Sequence, residues 1–204
     1  DAPQNGYLNR SRVSLDYIPR DNNHPYRPAI IFRMAEAYLS YAEALNESSE
    51  RMSHKQEILD NLNKIRHRAG IAEYGTGTDE NGFTRIKINF SDQKEVRRLI
   101  HKERRVEFVG EGVRYHDLRR WKTAHYGIGN LNEQGENPDW GVNGPDYGMN
   151  YYGTEYTDQG DNAFFKRTKY MDRVYPRKFY WYPIHQSEID KDPTLVQGPF
   201  WLGE

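Results

Sequence analysis

RPAIIFRMAEAYLSYAEALNE, residues 27–47, spaces its apolar residues as a single helix face would. Ile31, Met34, Tyr38, Tyr41, Ala42 and Leu45 follow one another mostly in steps of three and four, which aligns them as one stripe. Pro28 suits a first helical turn, where a missing N–H costs nothing. The spacing predicts a helix from about Pro28 to Asn46. A polar link, Glu47 to Ser53, leads to a second helix over Lys55–Ala69 with the stripe Leu59, Leu62, Ile65 and Ala69. Gly70 stands where a helix is stopped by a left-handed residue. Two amphipathic helices joined by so short a link pack as an antiparallel pair.

Outward from this pair the texture varies. Residues 1–26 hold Pro3, Gly6, Pro19, Asn22, Asn23 and Pro25, and read as an extended lead-in. Residues 74–90 read as a glycine-containing loop that ends in a strand-like alternation from Phe83 to Phe90. A third helix is expected to open at Ser91 or Asp92, since Asp92 with Glu95 three residues on forms a capping box. It runs through Val96, Leu99, Ile100 and Val106 to about Gly110. Gly112 breaks the pattern, and a fourth helix carries Val113, Leu118 and Trp121. From Tyr126 helical periodicity is lost, yet residues 126–201 hold 16 of the 28 aromatic residues. Disordered chain is poor in aromatics, so this region is expected to be ordered and irregular. The expected organisation is a lead-in over 1–26, a helical hairpin scaffold over 27–125 and an aromatic-rich region over 126–204 packed on the helices.

Composition excludes several function classes. The 204 residues include no cysteine, so thiol nucleophiles, disulfides and zinc–thiolate sites are absent. A net charge of −1 offers no general attraction to nucleic acid. No apolar run is long enough to span a bilayer as a helix. No secretory signal is visible, so either the protein is cytosolic or a targeting segment lies outside this sequence. No HExxH, GxSxG, GxGxxG or P-loop motif occurs. Asp79–Gly82 and Asp158–Asn162 are loosely calcium-like but lack the spacing of a calcium loop, and read as turns. His185 reads as a structural residue. No metal or cofactor site is expected.

Two groups of residues call for an explanation. Glu103, Glu107 and Glu111 recur every fourth residue on the third helix, and three carboxylates in one stripe repel one another. The nearest compensating charges are Arg114, Arg119 and Arg120, whose guanidiniums pair with carboxylates through two parallel hydrogen bonds. A structural ion network outweighs the alternatives, a catalytic carboxylate pair or a carboxylate-bridged metal. The second group is aromatic: Trp140, Tyr147, Tyr151, Tyr152 and Tyr156 lie among Asn, Gly and Asp. Sugar rings present C–H faces that rest on aromatic rings while amides and carboxylates take their hydroxyls, the usual division of labour in a binding site. Trp140, Tyr147, Tyr151 and Tyr152 are the candidate ligand-binding residues, set against the plainer reading that they staple the chain to the helices.

Four blocks together resemble the SusD/RagB family: RPAIIFRMAEAYLSYAEALNE (27–47), NLNKIRHRAGI (61–71), IHKERRVEFVGEGVRYHDLRRWK (100–122) and YWYPIHQSEIDKDPTLVQGPFW (180–201). The family ends with Asn-Pro-Gly before its last Trp, where this chain has Gly198-Pro199-Phe200-Trp201. The resemblance implies a mainly α fold of tetratricopeptide-like helical hairpins with a loop-rich, aromatic C-terminal region, part of a larger SusD-like fold. It implies capture of oligosaccharide or polysaccharide without catalysis, for import through a SusC-like TonB-dependent transporter. An oligopeptide ligand, as on the RagB side of the family, is the alternative. A helical adaptor that binds only proteins and a glycoside hydrolase are further rivals. The resemblance also implies a lipoprotein on the external face of the outer membrane, anchored through an N-terminal half not in this chain, against which the helices would pack.

Overall fold

In a computed structural model the described residues are 30–127 and 141–202. Five helices and one small sheet are present among them: α1 (Met34–Glu47), α2 (Lys55–Ala69), α3 (Gln93–Glu107), α4 (Val113–Arg120), β1 (Gly144–Met149), β2 (Arg167–Arg173) and α5 (Gln186–Lys191). A 3-10 turn, Arg177–Tyr180, precedes α5. None of these helices is long and apolar enough to cross a membrane. The chain divides into two compact units at Arg114/Tyr115, inside α4 and some ten residues before the change of texture at Tyr126.

The first unit is a tetratricopeptide-like arrangement in which α1 packs on both α2 and α3. Its core is Leu39 and Ala42 from α1, Ile58, Leu62 and Ile65 from α2, and Val96, Leu99 and Ile100 from α3, closed by Tyr74 and Phe108. The buried face of α1 is offset from the expected stripe. Ala35, Leu39, Ala42 and Leu45 face inward, while Met34 and Tyr41 are exposed and Ile31 is 96% exposed. Small Ala35 and Ala42 let two neighbouring helices approach α1 closely; Tyr38 lies at the margin of that face. Tyr41 instead turns its hydroxyl outward, donating to Glu57 Oε2 at 2.7 Å. On α2 and α3 the expected residues Ala69 and Val106 are likewise exposed.

Helix ends show where local signals prevail. Gly70 adopts φ +66 after α2, and its N–H reaches the carbonyls of Arg66 and His67, as expected of a left-handed stop. Asp92 Oδ1 accepts from Lys94 N at 2.9 Å and Glu95 N at 3.3 Å, capping α3. The reciprocal half of the box is displaced: Glu95 Oε1 accepts from Asn89 N rather than from the cap residue. Helix α1 starts at Met34, later than Pro28 predicts, because Arg33 is held extended at φ −145, ψ 156 while its guanidinium serves α3. Helix α3 stops at Glu107, short of Gly110.

The segment expected to alternate as a strand, 83–90, forms only isolated bridges, Tyr74 with Ile86 and Thr78 with Thr84. Asp79 explains the loop's shape. Its carboxylate accepts from the backbone N–H groups of Glu73, Asn81 and Phe83 at 2.9–3.1 Å. Asp79 is therefore a turn residue. Burial works to raise its pKa, but those three N–H groups prevail and hold it below the ordinary carboxylate value.

In the second unit the aromatic region is not wholly irregular. β1 and β2 pair antiparallel, Gly144 opposite Arg173 and Met149 opposite Arg167, with a register shift between Asp146 and Tyr147 that leaves Tyr170 as the extra residue.

Leu62 lies fully buried at the centre of the helical core. Leu62→Ala is expected to destabilise the protein by about 2–5 kcal/mol, read as a lower urea midpoint with unchanged slope.

Candidate functional site

The carboxylate stripe of α3 is neutralised, but not by the arginines nearest in sequence. Glu103 Oε1 accepts from Arg66 at 2.5 Å and from the hydroxyl of Tyr74 at 2.8 Å, and all three are buried. Arg66 also donates to the carbonyl of Ala72 at 2.5 Å and lies over the Tyr74 ring. Glu107 accepts from Arg68 through both carboxylate oxygens, at 2.5 and 2.6 Å, and pairs with Arg33. Glu111 receives a two-bond fork from Arg33, at 2.9 and 2.8 Å. Partners thus arrive from α2 and from the residue before α1. Burial works against the Arg33 charge, but the hydrogen bonds to Glu111 and Glu107 prevail and raise its pKa. Burial, then the charge of Glu103, pushes the Tyr74 hydroxyl well above its ordinary pKa.

Arg119 and Arg120, expected to serve this stripe, are engaged elsewhere. Arg119 donates to the carbonyls of Phe179 and Tyr180, both at 2.5 Å, and lies over the rings of Tyr115 and Tyr182. It thereby fastens the 3-10 turn. Arg120 Nε donates to Asp117 Oδ1 at 2.9 Å. Arg114 is half-buried and has interactions of its own.

With the carboxylates engaged, the aromatic hairpin is the candidate ligand surface. Its base is closed by Asn143, which donates to the carbonyl of His125 at 2.7 Å and accepts from Tyr175 N. Its long connection, 150–166, is pinned across its width. Asn150 N donates to Lys166 O at 2.9 Å, Glu155 N to Asn162 O at 3.0 Å and Phe164 N to Glu155 O at 2.8 Å. Gly153 permits this closure, since a Cβ there would meet the Phe164 backbone at 2.6 Å.

Three of the candidate tyrosines lie on this hairpin. Tyr152 is 92% exposed and Tyr151 62% exposed, and their rings meet edge to face at 6.4 Å between centroids. Tyr147 on β1 is only partly open, with the Arg167 guanidinium 4.6 Å from its ring centre. Trp140 lies outside the described residues. Tyr156, nearly bare, packs with Phe164 and Phe165 on the same connection. The Phe164-Phe165 pair was the sequence signal for this extra patch. Asp146 anchors the strand pair: Arg173 first, then the Tyr170 hydroxyl, hold its carboxyl below the ordinary value, both at 2.8 Å. The remaining aromatics pack together. Tyr175 meets Phe179 and Tyr180, Phe179 meets Trp201, and Trp181 meets Phe200. His185 caps α5, accepting from Ser187 N. Among the described residues no group of three or more His, Asp or Glu side chains is arranged to hold a metal.

The SusD family model matches residues 1–201. The chain belongs to the SusD family. SusD-like protein P25 of Formosa agariphila is 32% identical over 109 residues, covering 53% of this chain and 18% of that protein. SusD-like protein P38 of the same organism is 32% identical over 103 residues, covering 50% of this chain and 19% of its own length. Among solved structures, the selenomethionine form of BT4246 is similar over 87% of this chain at 28% identity, with a TM-score of 0.56. A SusD-like protein of Bacteroides fragilis, BF3747, is similar over 85% at 26% identity, also with a TM-score of 0.56. The chain spans about a fifth of the curated relatives and a quarter of the solved chains. Phe200, just before the last Trp, takes φ +65, a conformation that costs a non-glycine residue on the order of 1–2 kcal/mol.

Removing the Glu103 charge leaves Arg66 buried and unpaired, so Glu103→Gln is expected to cost about 3–5 kcal/mol in denaturant unfolding. His125 gives a pH prediction. Burial, then the nearby Arg177, lowers its pKa below 6.5. The unfolded chain therefore takes up this proton first as pH falls. The stability it contributes is complete above about 6.5 and is lost as pH drops toward the lowered folded value. His125→Asn is expected to flatten that part of a urea-midpoint profile against pH.

Proposed function

We propose that this chain contributes to non-catalytic capture of an oligosaccharide at a bacterial cell surface, for import through a SusC-like TonB-dependent transporter. In this reading the whole protein is a lipoprotein on the external face of the outer membrane, held by an anchor outside this chain. Membership of the SusD family supports the general role. The observation that carries the site is the exposed pair Tyr151 and Tyr152 on a connection pinned by backbone hydrogen bonds. A ring that stapled the chain would be covered; a nearly bare tyrosine on a fixed loop offers a face to a sugar at little cost in ordering. The perpendicular rings present one face each, which suits a chain that passes over a surface rather than entering a pocket. Engagement of Glu103, Glu107 and Glu111 by arginines supports binding over hydrolysis, which needs one carboxyl free to donate a proton.

The test is calorimetry on the intact protein against a panel of oligosaccharides, followed by Tyr151→Ala, Tyr152→Ala and Trp140→Ala. Each well-used ring is expected to cost on the order of 1–3 kcal/mol of binding, with circular dichroism unchanged. Release of shorter sugars would overturn the non-catalytic reading. Unchanged affinity in all three variants would remove the hairpin from the site. Binding of peptides in place of sugars would move the protein to the oligopeptide-receptor reading.

A further inference from the structure

The helical unit holds a groove of about 750 Å³ between α2 and the 73–90 loop, within the size range of ligand sites. One wall is a single exposed stripe of α2, on which Gln56, Asp60, Asn63, Lys64 and His67 recur at helical spacing. The other is the loop, through Tyr74, Thr76, Glu80, Arg85 and Lys87. Half-buried Leu59, Ile88 and Phe90 form an apolar strip that continues into the core.

The groove is pre-formed. Asn63 locks the loop to α2 from both ends of its amide, donating to Tyr74 O at 2.9 Å and accepting from Tyr74 N at 2.8 Å. Glu73 is held by Arg85 at 2.9 Å and 3.2 Å and by His67 at 3.2 Å. Asp79 fixes the turn beyond. Together these contacts keep an open, half-apolar cleft beside the helical core.

Its lining selects the ligand's chemistry. Lys64, Arg85 and Lys87 balance Asp60, Glu73 and Glu80, so no strongly charged ligand is favoured. A peptide added as a β-strand would need an open backbone edge, but the loop's edge is consumed: Gly75 N donates to Ile86 O, Ile86 N to Glu73 O and Arg85 N to Gly77 O. What the groove offers is an apolar strip for C–H faces, rimmed by exposed Thr76, Glu80 and Lys87 that can exchange hydrogen bonds with hydroxyls.

We propose that this groove is a second ligand site of the chain, one that takes a neutral oligosaccharide segment independently of the tyrosine hairpin. It rests on the capture reading only for the expectation that the protein meets sugars at all.

The experiment is amide chemical-shift mapping on the intact, isotope-labelled protein with maltohexaose, cellohexaose, xylohexaose and chitohexaose in turn, beside an oligogalacturonate. At least one neutral probe is expected to shift the amides of Lys64, His67, Thr76 and Lys87. Those shifts should persist in Tyr151→Ala/Tyr152→Ala and vanish in Thr76→Trp, which fills the groove from an exposed loop position. Glu80→Ala/Lys87→Ala should weaken binding there by about tenfold, the order expected for two lost hydrogen bonds. Shifts at the groove alone uphold this site and overturn the hairpin. Shifts at the hairpin alone overturn this site and leave the capture reading standing. A groove that responds only to the oligogalacturonate, or to none of the probes, refutes the assignment.

Discussion

The buried pair of Arg66 and Glu103, with the Tyr74 hydroxyl completing it, is the interaction on which the helical unit depends. It joins α2, α3 and the start of the 73–90 loop at one point. Two opposite charges taken out of water are tolerable only when their remaining donors and acceptors are satisfied. Here Arg66 turns its Nε to the Ala72 carbonyl and its face to the Tyr74 ring, and Glu103 takes the phenol. The loop therefore leaves α2 in one direction only. Asn63 repeats that instruction through the Tyr74 backbone. The groove beside α2 is a consequence of this pinning.

Aromatic residues in the second unit divide by neighbour rather than by type. Tyr175, Phe179, Tyr180, Trp181, Phe200 and Trp201 touch one another in series, and Arg119 fastens the series through two backbone carbonyls. These rings hold the chain's end together. Tyr151, Tyr152 and Tyr156 lie instead on a connection whose shape is maintained by backbone hydrogen bonds. Because the backbone carries that shape, these rings stay largely exposed. Phe200 shows the same economy from the other side: its left-handed backbone is tolerated where its ring gains Trp181.

The chain belongs to the SusD family, and its likeness to BT4246 extends over most of this chain but a quarter of that one. The exposed side of α1, with Ile31, Met34 and Tyr41, is apolar surface of the kind that larger assemblies cover.

Much was legible from the sequence alone. The α2 boundaries, the Gly70 stop, the Asp92 cap and the turn role of Asp79 are set by neighbours a few residues away, and local chemistry determines them. The family could be read because its blocks recur in order. Which face of α1 is buried was only partly legible, since two overlapping stripes, one through Met34 and Tyr41 and one through Ala35 and Leu39, satisfy the same period. Only packing against α2 and α3 chose between them, favouring the stripe whose alanines allow close approach. The arginines that answer the α3 carboxylates were equally hidden. Sequence distance favoured Arg119 and Arg120, but charge pairing is decided in space, and α2 brings Arg66 and Arg68 across while Arg33 arrives from beyond α1. The split of aromatics into packed and exposed was decided the same way, because exposure belongs to the folded chain and to no residue by itself.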